Sequence, residues 1–189
     1  MLYIHNVVIN PKEENRNMAS YNNSYTPRQN FNGSGSRNLE DKSVKPNPVK
    51  ITTFYKENEV DPDLFDKKAL EVAQSFVGKN AKGYDVGVTS TQLRRIFDEV
   101  KRFEQLLQVG ENQFAKQLPY IKMIKSKVAY SVARAVKGKS DAKCVYDNLS
   151  YFIKSSIDLI KTETDFHVFV SLFEAAYGFY YELAPKDCK

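Results

Sequence analysis

The sequence predicts an all-α fold, a compact bundle of about five amphipathic helices behind a disordered N-terminal leader. Three observations carry this. From residue 61 onward apolar residues recur at helical spacing, Gly or Pro closes most of those stretches, and alternating strand patterns are nearly absent. With 189 residues, 42% of them hydrophobic, the chain has enough material for one domain and a tail.

The leader is read from composition. The stretch "NRNMASYNNSYTPRQNFNGSGSRNLEDKSVKPNPVK" is rich in Asn, Ser, Gly and Pro and poor in apolar residues at any period. Such a segment cannot bury enough surface to offset its chain entropy. Residues 1–60 are therefore expected to be disordered, with the folded domain over 61–185. Within the leader, "MLYIHNVVI" has the makings of a short recognition strand, and Met18 is a plausible translation start that would place residues 1–17 upstream of it. "ITTFY", Ile51 to Tyr55, is suited to docking in extended form on a partner or on the domain.

The helices follow in order. "DPDLFDKKALEVAQSFVG" offers Asp61 as N-cap and Pro62 at the first helical position, with Leu64, Phe65, Val72, Ala73 and Phe76 apolar, and closes at Gly78. "KNAKGYDVGV" reads as a loop. The next helix runs from about Ser90 to Val109. Thr89 is its expected cap, Gln92 returns the hydrogen bond, and Leu93, Ile96, Phe97, Val100 and Phe103 share one face. A third covers roughly Gln113 to Lys137, with a possible break at Pro119, and stops at Gly138. A fourth spans about Asp141 to Lys161, turning Leu149, Phe152, Ile153, Ile157 and Ile160 inward. The fifth starts near Asp165, places Phe166, Phe169, Val170, Phe173, Tyr177 and Tyr180 at core spacing, and ends at Pro185.

Several function classes find no support. The acids Asp98, Glu99, Asp158, Glu163, Asp165 and Glu174 are dispersed, with no DxD or HExxH cluster for a metal hydrolase. His5 and His167 lie far apart and lack a Cys or His nearby, and Cys144 and Cys188 make a poor disulfide framework. No run reaches the length of a membrane span, and "MLYIHNVVIN" has no basic n-region. The expectation is a cytoplasmic protein, neither enzyme nor membrane protein, with no cofactor and no metal.

The cations are less evenly spread. Net charge is +5, and from Asn112 to Ser140 there are seven cations and no acid. Ordinary solvated helices mix the signs. At 100° per residue, Leu118, Ile121, Ile124, Val128, Val132 and Ala135 fall on one side of the third helix, and Lys127, Tyr130, Arg134 and Lys137 line up on another. Lys122 and Lys125 flank the apolar side. This pattern suits either a phosphate-binding stripe, with Tyr130 against a sugar or base, or a solvated face with snorkelling lysines. Arg94 and Arg95 are a further pair of cations, placed in a first helical turn where the dipole disfavours them unless an anion arrives. Arg94 with Asp98 and Arg95 with Glu99, both at i+4, are alternative pairings. Tyr177, Tyr180 and Tyr181 have core spacing; as a base-stacking platform they would need to be exposed.

Three stretches, "VTSTQLRRIFDEV", "LPYIKMIKSKVAYSVAR" and "FHVFVSLFEAAYGFYYEL", in this order and spacing, resemble the small subunit of type III-A CRISPR effector (Csm) complexes. The likeness runs from about Leu64 to Leu183. It implies an all-helical bundle, present in several copies, that stacks along the backbone subunits holding the guide RNA. It also implies contact with the guide and target RNA backbone without sequence reading, beside the backbone and large subunits, and no active site. The matching positions are Arg94, Arg95, Lys127 and Arg134, and the Asn-rich leader departs from the family pattern. The expected RNA-binding set is thus Arg94, Arg95, Lys122, Lys125, Lys127, Tyr130, Arg134 and Lys137. The rival expectation is a helical protein–protein adaptor whose basic face is only a solvated surface.

Overall fold

The computed structural model describes residues 41–109, 113–138 and 140–188. The expectations for the first forty residues, including Met18 and the "MLYIHNVVI" strand, lie outside these. Five helices build the domain: α1 (Ala69–Gln74), α2 (Ser90–Leu107), α3 (Gln113–Ala135), α4 (Lys143–Leu159) and α5 (Glu163–Leu183). Turn Leu64–Lys68 precedes α1 with wide, π-type hydrogen bonding, in which Lys68 N–H donates to the Asp63 carbonyl at 3.0 Å. Asp61 does act at this entrance, its carboxylate accepting the Asp63 N–H at 3.0 Å.

Helix α5 organises the core because its apolar residues are too numerous for one stripe. Phe166, Val168, Phe169, Val170, Leu172, Phe173, Ala176 and Tyr180 are all buried, and α1, α2 and α4 pack around them. Phe152 of α4 meets Phe169 and Phe173 of α5 with ring centroids 6.5 and 5.8 Å apart. Of the three C-terminal tyrosines, Tyr180 is core, Tyr177 packs half-buried on Phe97 at 5.4 Å, and Tyr181 is exposed. Helix α3 packs on α2 and α4, burying Ile121, Ile124, Val128 and Val132.

The start of α5 is strongly specified. Thr162 and Asp165 form a capping box: the Thr162 hydroxyl accepts from Asp165 N–H, and the Asp165 carboxylate accepts from Lys161 and Thr162 N–H. Burial alone would push the Asp165 carboxyl up. The Tyr55 hydroxyl, at 2.7 Å, and these backbone donors outweigh burial and hold it below the ordinary carboxylate value.

Tyr55 falls under two expectations, disorder over residues 1–60 and extended docking of Ile51 to Tyr55, and for residues 41–60 the structure shows docking on the domain. Residues 41–60 form a strap packed on the domain. Ile51 and Phe54 are 3% and 2% exposed, Ile51 N–H donates to Ser155 Oγ, and buried Asn148 donates to the Pro46 carbonyl. Strands β1 (Tyr55–Lys56) and β2 (Glu59–Val60) close it with a turn in which Glu57 and Asn58 both have positive φ, the type I′ pattern. Average composition concealed this, because two large apolar residues suffice to anchor a polar stretch.

The expected loop after α1 is instead a hairpin, β3 (Val77–Lys79) with β4 (Asp85–Gly87), and Val44 of the strap bridges to Lys79. Residue 78 must be small: a Cβ there would lie 2.6 Å from the Val44 carbonyl oxygen. Tyr180 Oη donates to the Val88 carbonyl just beyond β4, tying the hairpin to α5.

Other departures are local. Thr89 does not cap α2 with its side chain; Tyr146 Oη instead accepts from Thr89 N–H and donates to its hydroxyl, and Gln92 accepts from Ser131. Pro119 does not break α3, because it lies on the exposed side and the flanking core residues continue in register. Helix α3 ends at Ala135, so Lys137 sits in the following turn.

Phe54→Ala should lower unfolding free energy by about 3–5 kcal/mol, since it empties a fully packed site. Gly78→Ala should also destabilise by displacing the strap. Urea denaturation monitored by circular dichroism tests both, and unchanged midpoints would remove the strap from the folded unit.

Candidate functional site

The site is assembled from the residue pattern of α2 and α3. Helix α3 carries five cations and no acid, and its buried residues Ile121, Ile124, Val128 and Val132 are committed to the side that meets α2 and α4. Its opposite side must face solvent. Lys127, Tyr130 and Arg134 are exposed there in succession, at about 1.5 Å of rise per residue, so the two cations stand about 10.5 Å apart along the axis. Tyr130 is 69% exposed, and no ring or hydroxyl partner meets it among the described residues.

Between α2 and α3 lies a cleft of about 180 Å³ lined by Arg95, Glu99 and Lys127 above Ile96, Ile124, Val128 and Ser131. Arg95 and Lys127 therefore come together across one opening. Arg94, one residue earlier and about 100° round the helix, points away from that opening and faces Asp98 at 3.8 Å. The alternative Arg95–Glu99 pair does not form.

Glu99 is committed elsewhere. Its carboxylate takes two hydrogen bonds from Arg102, at 3.0 and 3.3 Å, and one from Lys127. Arg102 and Lys127 hold it below the ordinary carboxylate value although burial opposes them. Arg102 was not legible as part of the site, because its i, i−3 spacing from Glu99 looks like any surface pair.

The remaining expected residues separate. Lys125 turns to the other side of α3 and pairs with Asp158 of α4. Lys122 goes further: its ammonium donates to the Ile157 and Ile160 carbonyls, at 2.5 and 2.8 Å, closing the C-terminal end of α4. Burial, followed by the nearby Lys125 charge, pushes its pKa down. Lys137 is exposed beyond the end of the helix.

Among the described residues no group of three or more His, Cys, Asp or Glu side chains could hold a metal, and His167 stands between Glu104 and Glu163 at 3.6 and 3.7 Å. Among them too, no helix is long and apolar enough to cross a membrane.

The family model described as Csm2 Type III-A matches residues 61–182, which include α1 to α4, nearly all of α5 and every residue of the cleft. The chain belongs to the Csm2 type III-A family. No curated protein matches, and no solved structure does. As a Csm2 family member the chain is a small subunit of the type III-A CRISPR effector complex, and it works alongside the other subunits of that assembly. The Csm2 match begins at Asp61, so the strap lies outside it.

Replacing Lys122 with Met should separate scaffold from surface. The Ile160 carbonyl would lose its Lys122 donor and the Ile157 carbonyl would keep only the Ile160 N–H at 3.3 Å, costing about 1–3 kcal/mol. Thermal melting should register the loss, and a melting temperature equal to that of the unaltered chain would show that the contact contributes nothing.

Proposed function

We propose that this chain is the non-catalytic, RNA-holding small subunit of its effector complex, acting in antiviral defence. It contacts the backbone of guide and target RNA without reading sequence and stabilises the assembly. The observation that carries this is the exposed succession Lys127–Tyr130–Arg134 on α3, a helix with no acid of its own, with Arg95 facing Lys127 across the cleft. Side chains that reach only phosphate fix position and carry no sequence information. Its partners are guide and target RNA, the backbone and large subunits and further copies of itself, in the cytoplasm and away from membranes.

The expected RNA set divides by role. Arg95, Lys127, Tyr130, Arg134 and Lys137 form the contact surface, Arg94 and Lys125 lie at its margins, and Lys122 serves the fold. A second reading, a helical adaptor, draws on the Lys127–Glu99 and Lys125–Asp158 pairs, which are what a merely solvated face would make. Such exposed pairs are worth only about 0–1 kcal/mol, so they do not prevent a phosphate from taking over the cations.

Charge reversal of Lys127 and Arg134 to Glu should abolish binding of single-stranded RNA by the purified chain, measured by fluorescence anisotropy. The same reversal of Lys67 and Lys68, which form ion pairs with exposed Asp63 and Glu71, should have little effect. Equal losses in the two variants would reduce the effect to bulk charge, and unaltered binding in both would favour the adaptor.

Glu99 supplies a complementary test. It acts as an internal anion that an RNA phosphate must displace, so Glu99→Gln should raise affinity several-fold. It should also steepen the dependence of log K on log salt by about 0.7 for each phosphate newly engaged. Exposed Glu182→Gln is the charge-matched control. Equal gains from both substitutions would remove any special role for Glu99.

A further inference from the structure

The basic succession on α3 continues toward the helix start. Turned at about 100° per residue, Lys116, Tyr120, Met123, Lys127, Tyr130 and Arg134 fall within an arc of about 80°. All six are exposed, with Tyr120 at 55% and Met123 at 44%. They alternate along about 27 Å of helix: cation, aromatic and thioether, cation, aromatic, cation. Neither Tyr120 nor Tyr130 has a ring partner or a hydroxyl hydrogen bond among the described residues, whereas Tyr55, Tyr146, Tyr177 and Tyr180 each have one. Beside Tyr120 a hollow of about 220 Å³ is lined by Gln117, Tyr120, Met123 and Lys127 of α3 and by Arg102 and Phe103 of α2. The Arg102 guanidinium lies over the buried Phe103 ring, 4.4 Å from its centre, and is held there by its ion pair with Glu99.

Two exposed aromatic rings in a cationic track, on a helix with no acid of its own and with only Lys127 answered by Glu99 among the described residues, suit a ligand with regularly spaced anions and free π-faces. A protein partner would have to supply both acids and apolar groups at this alternation; a polynucleotide strand has both by construction. Residues 120 and 130 stand about 15 Å apart along the helix axis, more than four steps of a stacked strand at about 3.4 Å each, so separate bases serve the two rings. A duplex keeps its base faces covered. We propose, building on the RNA-holding role above, that this track binds unpaired RNA, with separate bases stacked on Tyr120 and Tyr130 and phosphates on Lys116, Lys127 and Arg134. The surface thus holds a strand before or beside pairing, and base stacking supplies affinity without sequence preference.

The test uses the full chain and a single-stranded oligoribonucleotide carrying 2-aminopurine, whose fluorescence is quenched by stacking. The unaltered chain should quench it and should bind the single strand more tightly than a duplex of the same sequence. Tyr120→Ala with Tyr130→Ala should abolish quenching and weaken binding by about tenfold or more, while the paired Phe substitutions should keep both. Inorganic polyphosphate, which has no bases, should bind the Ala variant and the unaltered chain equally. If the Ala variant binds and quenches normally while the Lys127 and Arg134 reversal abolishes binding, backbone contact stands and stacking falls. Equal affinity for duplex and single strand would likewise overturn the proposal. Absence of RNA binding by the unaltered chain would overturn both this inference and the role it rests on.

Discussion

Burial of α5 is the constraint on which the arrangement depends. Its large apolar side chains face several directions, so α1, α2 and α4 must close around it. That consumes the inner positions of the bundle and leaves α3 as an outer helix seated on α2 and α4. An outer helix needs an apolar stripe on one side only. The remaining surface of α3 is released from core packing, and its sequence fills that surface with cations and aromatics. Hydrophobic economy in one helix thus sets where a basic surface can exist in another.

Charge is distributed with the same division of labour. Helix α3 contains no acid, yet its lysines are not left uncompensated: Glu99 on α2 and Asp158 on α4 approach it from either side. The dispersed carboxylates that look uninformative in the sequence therefore have assignments. Asp165 goes to the cap of α5, Glu104 and Glu174 to Lys101, and Asp98 to Arg94. What distinguishes the exposed side of α3 is that Tyr130 and Arg134 receive no such answer from a neighbour among the described residues.

The helices and their inward residues were legible because period and punctuation agree. Ile121, Ile124, Val128 and Val132 follow a 3.6-residue repeat, and Gly138 and Pro185 close helical stretches. Short pieces were legible only in part: Ile51 to Tyr55 stood out as a docking segment, while the rest of the strap and the hairpin did not. The strap is anchored by Ile51 and Phe54, too few residues for periodicity to register, and β3 and β4 have three residues each. Capping was misplaced for a related reason: Thr89–Gln92 and Thr162–Asp165 have the same spacing, and the choice fell to Tyr146, which is distant in sequence and takes over Thr89. At the candidate site, residue type and helical phase placed Lys127, Tyr130 and Arg134 on one exposed side of α3, but they could not reveal that Lys122 reaches the end of α4. Two lysines five residues apart carry the same symbol and do different work.

Lys122 gives α3 a fixed angular setting, because its ammonium is tethered to the last carbonyls of α4 while Ile124 and Val128 are pressed against the core. The helix cannot roll about its own axis without tearing that tether. Spacing between Lys122 and the outward residues is therefore held more tightly than their identity. One residue gained or lost between Lys122 and Lys127 would swing everything downstream by about 100° and carry Tyr130 and Arg134 off the outer surface. Exchanges of side chains at constant length keep that outward register, whereas length changes are compatible with it only outside the helix.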